Sequence, residues 1–361
     1  MAVSSRAAGD PHRAVVTITA VGGCAVDHAE FAAGQVTFAI TNQDATAVSA
    51  VELQSSQRII GEKENLPAGF SGSFTVSLEA GSYSLVCPGS GQPTRTITVT
   101  GSAAGPVDAD LSTLLTRGAK EYKAYVDTQV DYLLQTTQAL ASSLKGADLA
   151  AAQKAYMKAR PYYEKIEPVA ESFEVGSEDL DEALDARADD VAPSEWAGFH
   201  RIEKGLFQDE NLAGLALYGD ALVVNVQKLQ GLTKALEYQP FELANGAQEL
   251  LDEVSRTKVT GEEERYSHID LLDFQSNVEG SEQAFADLKP ALQKIDPALT
   301  GAIADAFTRL DKLLETYRSA DNPSGFVLYG TLQPADKPKL VAAVKAVQEP
   351  LSQVAAKVTK A

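Results

Sequence analysis

The chain is poor in the residues from which most chemical sites are built. Its 361 residues include only two cysteines, four histidines, two methionines and one tryptophan. A cysteine-rich zinc module or an iron–sulfur site cannot be assembled from that supply. Any metal site must therefore be made mainly of carboxylates, which favours hard or borderline ions such as iron over copper(I). No apolar run approaches the roughly 18 residues that cross a bilayer. Residues 1–11 carry neither a basic n-region nor an apolar h-region, so no signal peptide is expected there, and the chain is either cytosolic or one whose signal was trimmed. The motifs G-x-S-x-G, G-x-x-x-x-G-K and H-E-x-x-H are also absent, which removes the usual support for hydrolase and nucleotide-enzyme readings. Basic residues are short too: 31 Lys and Arg face 50 Asp and Glu, a formal charge of −19. A phosphate backbone would be repelled, so cations rather than nucleic acid are the expected partners.

What is present divides into two textures. From residue 12 to 101, short β-branched stretches such as Val15–Thr19, Gln35–Ile40, Ser73–Leu78 and Thr94–Val99 alternate between turn residues. This pattern predicts an all-β sandwich of about seven strands. Residues 102–106 are small and rich in breakers, and read as a linker. From 107 to 361 apolar residues recur at three- and four-residue spacing, near 111–133, 148–171, 194–206, 211–236, 240–257, 267–289, 297–318 and 335–358. That predicts an all-α bundle of about eight helices. The helical part carries about −16 of the charge, so a cation site is sought there.

The most informative stretch is Trp196 to Phe207. His200 and Glu203 stand three residues apart on a predicted helix, where an imidazole nitrogen and a carboxylate converge on one face. Glu164, Glu167 and Glu171 share another helical face, and Asp185, Asp189 and Asp190 precede the His200 helix. Like charges so spaced repel, and a bound cation would reverse that. Ser267 and Asp270 fit the S-x-x-D helix start, which makes His268 a first-turn residue rather than a ligand. The run Glu262 to Glu264 reads as a solvated loop. Cys24 and Cys87 admit a disulfide or a copper thiolate. No His or Met follows Cys87 closely, so the disulfide is the stronger reading and copper in this half is doubtful.

Several segments together resemble the EfeO family of iron-uptake components. They are Gly61–Phe70, Ala80–Cys87, Tyr163–Phe173, Asp185–Asp190, Gly198–Lys204 and Tyr266–Gln275. The resemblance implies a cupredoxin-like domain followed by an imelysin-like helical domain. It also implies an iron-binding protein, on the periplasmic or extracellular face of the cytoplasmic membrane and lipid-tethered in full form. Such a protein passes Fe2+ or Fe3+ to an EfeU-like permease in concert with an EfeB-like haem peroxidase. His200 and Glu203 match the family's metal pair. Glu167 and Asp185 are the acids assigned with them, followed by Glu164, Glu171 and Asp189. Zinc would suit the same donors. Donors available in the first half are Cys24, Cys87, Glu52, Glu62 and Glu64. The alternatives are an imelysin-like metallopeptidase, for which no base is singled out, and an acidic cell-surface module without metal.

Overall fold

The structure, a computed structural model, describes residues 10–360 apart from 47, 49, 56–57, 64–65, 91–93, 103–108, 174–178, 190 and 257. Its strands are β1 (Arg13–Thr19), β2 (Gly23–Val26), β3 (Glu30–Ala32), β4 (Gly34–Asn42), β5 (Val51–Ser55), β6 (Arg58–Lys63), β7 (Ser71–Leu78), β8 (Gly81–Val86) and β9 (Arg95–Thr100). They form two sheets, ordered β2-β1-β4-β7 and β3-β9-β8-β5-β6. The four alternating stretches of the sequence fall on β1, β4, β7 and β9, with Thr94 just ahead of the last. β1 runs parallel to β4, and β4 pairs antiparallel with β7 from Gly34↔Leu78 to Thr41↔Ser71. Alternate residues point inward, so Val16, Ile18, Val36, Phe38, Ile40, Leu53, Leu85 and Ile97 are buried between the sheets. Phe38 and Phe74 stack at 4.9 Å across the β4–β7 pair. Cys24 on β2 is bonded to Cys87, just after β8, which ties one sheet to the other. The count exceeds the seven predicted because β2 and β3 are too short to display alternation.

The second half is helical: α1 (Ala109–Ser143), α2 (Leu149–Glu164), α3 (Glu167–Glu171), α4 (Leu180–Asp185), α5 (Gly198–Glu203), α6 (Leu215–Lys234), α7 (Pro240–Arg256), α8 (Asp270–Ile295), α9 (Pro297–Glu315), α10 (Asp336–Leu351) and α11 (Val354–Val358). Two of the long periodic runs are interrupted. The run 148–171 breaks at Lys165–Ile166, and Pro168 in the first turn of α3 has no N–H with which to continue the earlier helix. The run 335–358 breaks beyond Pro350 into α10 and α11. α5 passes directly into a π-helical turn, Lys204–Gln208. The proposed linker, 102–106, lies from residue 103 onward outside the described residues.

The sandwich rests on the helical half through several polar links. Arg58 pairs with Glu242 at 2.7 Å, Lys63 pairs with Asp252, and the Ile59 N–H donates to the Ser172 carbonyl at 2.8 Å. Asn245 donates through its side chain to the Thr75 carbonyl at 3.1 Å. Of the helices so gripped, α3 carries Glu167 and α7 carries Glu253, both beside the polar centre described next.

Candidate metal centre

Four helices bring the first acids together. On α2, Tyr156, Arg160, Tyr163 and Glu164 follow helical spacing and are fully buried. Gly198 begins α5 at φ +75°, and a Cβ there would collide with the Leu184 carbonyl, so the end of α4 lies directly against α5. That contact sets Asp185, the last residue of α4, beside His200. On α8, Asp270, Asp273 and Asn277 fall on one face and are also buried. The connection from α7 to α8 adds Lys258, in a 3-10 turn, and then Glu263 and Glu264.

Arg160 lies at the middle. Its guanidinium reaches Glu164 at 2.6 Å, Glu263 at 3.0 Å, Glu264 at 3.0 Å and Asp273 at 3.1 Å, and it also pairs with Asp185. Lys258 donates to Glu164 and to Glu167, both at 2.7 Å. The His200 Nδ1 lies 3.3 Å from Glu203, while its Nε2 is 3.5 Å from both Asp185 and Glu263. Glu203 is held from behind by the N–H groups of Tyr266 and Ser267, at 2.8 and 2.7 Å. Tyr156 donates to Glu264 at 2.8 Å, and the Ser267 hydroxyl donates to the same carboxylate. Asn277 donates to Glu167 at 3.2 Å and to the Glu164 carbonyl at 2.9 Å.

So many acids in one dry volume shift each other's protonation. Burial pushes Glu164 up to about 7 despite Arg160 and Lys258, and pushes Glu264 up to about 8 with the help of the Glu203 charge. Burial also carries Asp270 up to about 7. Asp185 is driven the other way: burial opposes its ionisation, but Arg160 and His200 overcome it. Glu263 likewise falls well below the usual carboxyl range, because Lys258 and His200 outweigh burial. Burial would deprotonate His200, yet Asp185 and the hydrogen bonds to Asp185 and Glu203 hold it well above its ordinary value. A metal bound here would displace protons and relieve the repulsion between the carboxylates.

Groups of donor atoms lying within 4.8 Å of one another are Asp185–His200–Glu263, His200–Glu203–Glu264, Glu164–Glu167–Asp185–Glu263 and Glu167–Glu171–Glu253. Of the acids expected from the sequence, Asp185 and Glu203 thus lie beside His200, and Glu164 and Glu167 join the centre through Asp185 and Glu263. Glu171 stands further out, half-buried beside Glu167. Asp189 does not join them; its exposed side chain pairs with Arg265 at 2.8 Å. The solvated-loop reading of Glu262 to Glu264 is corrected: Glu262 is exposed, whereas Glu263 and Glu264 are buried at the heart of the centre. The S-x-x-D reading is corrected as well. α8 starts at Asp270, Ser267 spends its hydroxyl on Glu264, and His268 is exposed in the left-handed region at φ +58°. Arg160 and Lys258 escaped the sequence reading, although Arg160 stands one helical turn before Glu164.

The sandwich offers less. Cys24 and Cys87 bond to each other, Glu64 lies outside the described residues, and Glu52 and Glu62 face each other across β5 and β6. Among the described residues no group of three or more metal-binding side chains lies in this half.

With this geometry in view, the similarity to known proteins is specific. Residues 118–354 match the imelysin (peptidase M75) family model and residues 1–99 the cupredoxin-like domain model. "Iron uptake system component EfeO" of Escherichia coli O157:H7 is 37% identical over 327 residues, covering 89% of this chain and 85% of the relative. The chain belongs to the EfeO family. The EfeO of E. coli K12 is 36% identical over the same coverage. A crystal structure from Parabacteroides distasonis, provisionally described as an iron-regulated protein A precursor, superposes with a TM-score of 0.51 at 16% identity, covering 71% of this chain and 97% of that one. At that identity the likeness is one of fold. The two domain models fall in the order that an EfeO-family chain requires, and the centre lies wholly within the imelysin part.

Proposed function

We propose that this chain is the extracytoplasmic iron-binding component of an iron-uptake system, capturing iron at the His200 centre and passing it to an EfeU-like permease, with an EfeB-like haem peroxidase acting alongside. The observation that carries the reading is the convergence of His200, Glu203, Asp185, Glu167, Glu164 and Glu263 in one buried volume, where the permanent cations Arg160, Lys258 and the partly exposed Arg187 offset the carboxylates. Oxygen donors with a single imidazole suit ferrous and ferric iron, and accept zinc. The disulfide suits an oxidising compartment, in keeping with a place outside the cytoplasmic membrane.

Binding without catalysis fits the centre better than peptide hydrolysis. A hydrolytic site needs a carboxylate or imidazole poised as a base beside an open metal position. Here Glu263, Glu264 and Asp185 are engaged by Arg160, and Glu203 by two backbone N–H groups. The test is anaerobic titration of the metal-free chain with Fe2+, followed by thermal unfolding. A free metal concentration a hundred times the dissociation constant stabilises by about 2.7 kcal/mol. The expected result is a clear rise in Tm, with no peptide hydrolysis with or without zinc. Hydrolysis that requires zinc would favour the metallopeptidase reading instead.

A further inference from the structure

We infer that Lys258 is a tethered cation that occupies the metal position in the metal-free protein and leaves it when the metal binds, so that this one side chain sets the affinity of the centre and screens out weakly charged ions. The inference rests on the metal-binding reading above.

The Lys258 Nζ is 2.7 Å from an oxygen of Glu164, 2.7 Å from one of Glu167 and 3.5 Å from one of Glu263. Those are three of the four side chains in the largest group able to hold a metal, Glu164–Glu167–Asp185–Glu263. A metal ion bound by these oxygens would sit at about 2.0–2.2 Å from each, within the same small volume as the ammonium. Two cations cannot share it. An incoming ion must gain more from the carboxylates than the single charge already there, which a di- or trivalent ion does and a monovalent ion does not.

Lys258 is also built to leave. It opens a short 3-10 turn between α7 and α8, and its charge rides on a flexible four-carbon stem. A carboxylate waits on the outward side: Glu253 lies 3.6 Å from Nζ in the present position and is partly exposed. A short outward swing therefore exchanges buried partners for Glu253 without stranding the ammonium. Arg160 differs in each respect. Its planar group is fixed by five carboxylates and lies over the rings of Tyr163 and Phe199, at 5.8 and 5.4 Å, so it stays as the frame of the centre.

The test is a chelator-competition titration of the full chain with Zn2+, a redox-inert probe, on the wild type, Lys258→Met and Lys258→Arg. Lys258→Met is expected to bind Zn2+ about tenfold more tightly or better, the effect of removing one nearby charge. Lys258→Arg, whose bulkier group is harder to expel, should bind more weakly. Hydrogen exchange of the wild-type chain supplies a readout that needs no variant to fold: Zn2+ should speed exchange in the turn Lys258–Thr260 while slowing it in α2 and α5. Wild-type affinity in a folded Lys258→Met, or a turn that slows with the rest, overturns the inference alone. If the wild type binds neither Zn2+ nor Fe2+, the metal-binding reading falls and takes this one with it.

Discussion

At the scale of single residues, the centre separates side chains that would hold the metal from those that keep the acids in place. His200→Ala and Glu203→Ala should each remove most of the metal-induced rise in Tm while the metal-free chain still folds. Glu263→Gln should do the same, because Glu263 belongs to two of the four donor groups and touches His200, Arg160 and Lys258. Asp189→Asn should leave the rise unchanged, since its carboxylate faces solvent and Arg265. Arg160→Met is a different experiment. It leaves five buried carboxylates without their shared counter-ion, and breaking such an arrangement costs about 3–5 kcal/mol. Chemical denaturation of the metal-free variant should register that loss, and added metal should recover part of it by neutralising the same acids.

At the scale of elements, Gly198→Ala is the sharpest probe of how α4 and α5 meet. Its left-handed backbone disfavours any side chain, and the Leu184 carbonyl leaves no room for one. The variant should lose more than about 1 kcal/mol of stability and, by moving Asp185 from His200, weaken the metal response as well. The same junction marks where sequence reading succeeds and where it stops. The alternating strands, the long helices and the H-x-x-E pair are legible because each depends on spacing within one element. Glu263 and Glu264 were not, because an irregular connection has no period to reveal which way its side chains face, and three acids in a row look solvated. Arg160 and Lys258 were hidden for a related reason. A buried base betrays itself only through partners that lie far away in the chain, as Asp273 and Glu263 do from Arg160. Breaks in the long periodic runs, at Lys165 and after Pro350, follow from backbone constraints that apolar spacing does not record.

At the scale of the whole molecule, the buried acids give stability an unusual pH dependence. Glu164 and Asp270 titrate at about 7 and Glu264 at about 8 in the folded chain, against ordinary values of 4.5 for Glu and 3.8 for Asp. Across that interval the unfolded chain binds fewer protons than the folded one, so the contribution is full below the unfolded values and is lost as pH rises through about 7 to 8. His200, also raised, acts in the same direction; Asp185 and Glu263, lowered, stabilise fully above the ordinary carboxyl range and lose that contribution as pH falls below it. The metal-free protein should therefore be most stable in mildly acidic solution, as denaturation midpoints over a pH series would read. Metal should bind more weakly as pH falls through the same interval. Reducing the Cys24–Cys87 bond should lower stability by about 2–4 kcal/mol without altering metal affinity, since among the described residues the sandwich contributes no donor to the centre. β6 is the outermost strand of its sheet, and its Ile59 N–H is satisfied by Ser172 of the helical half. A fragment cut near residue 101 would bare that edge, a ready template for a second copy to add a strand, and should self-associate with rising concentration where the full chain does not.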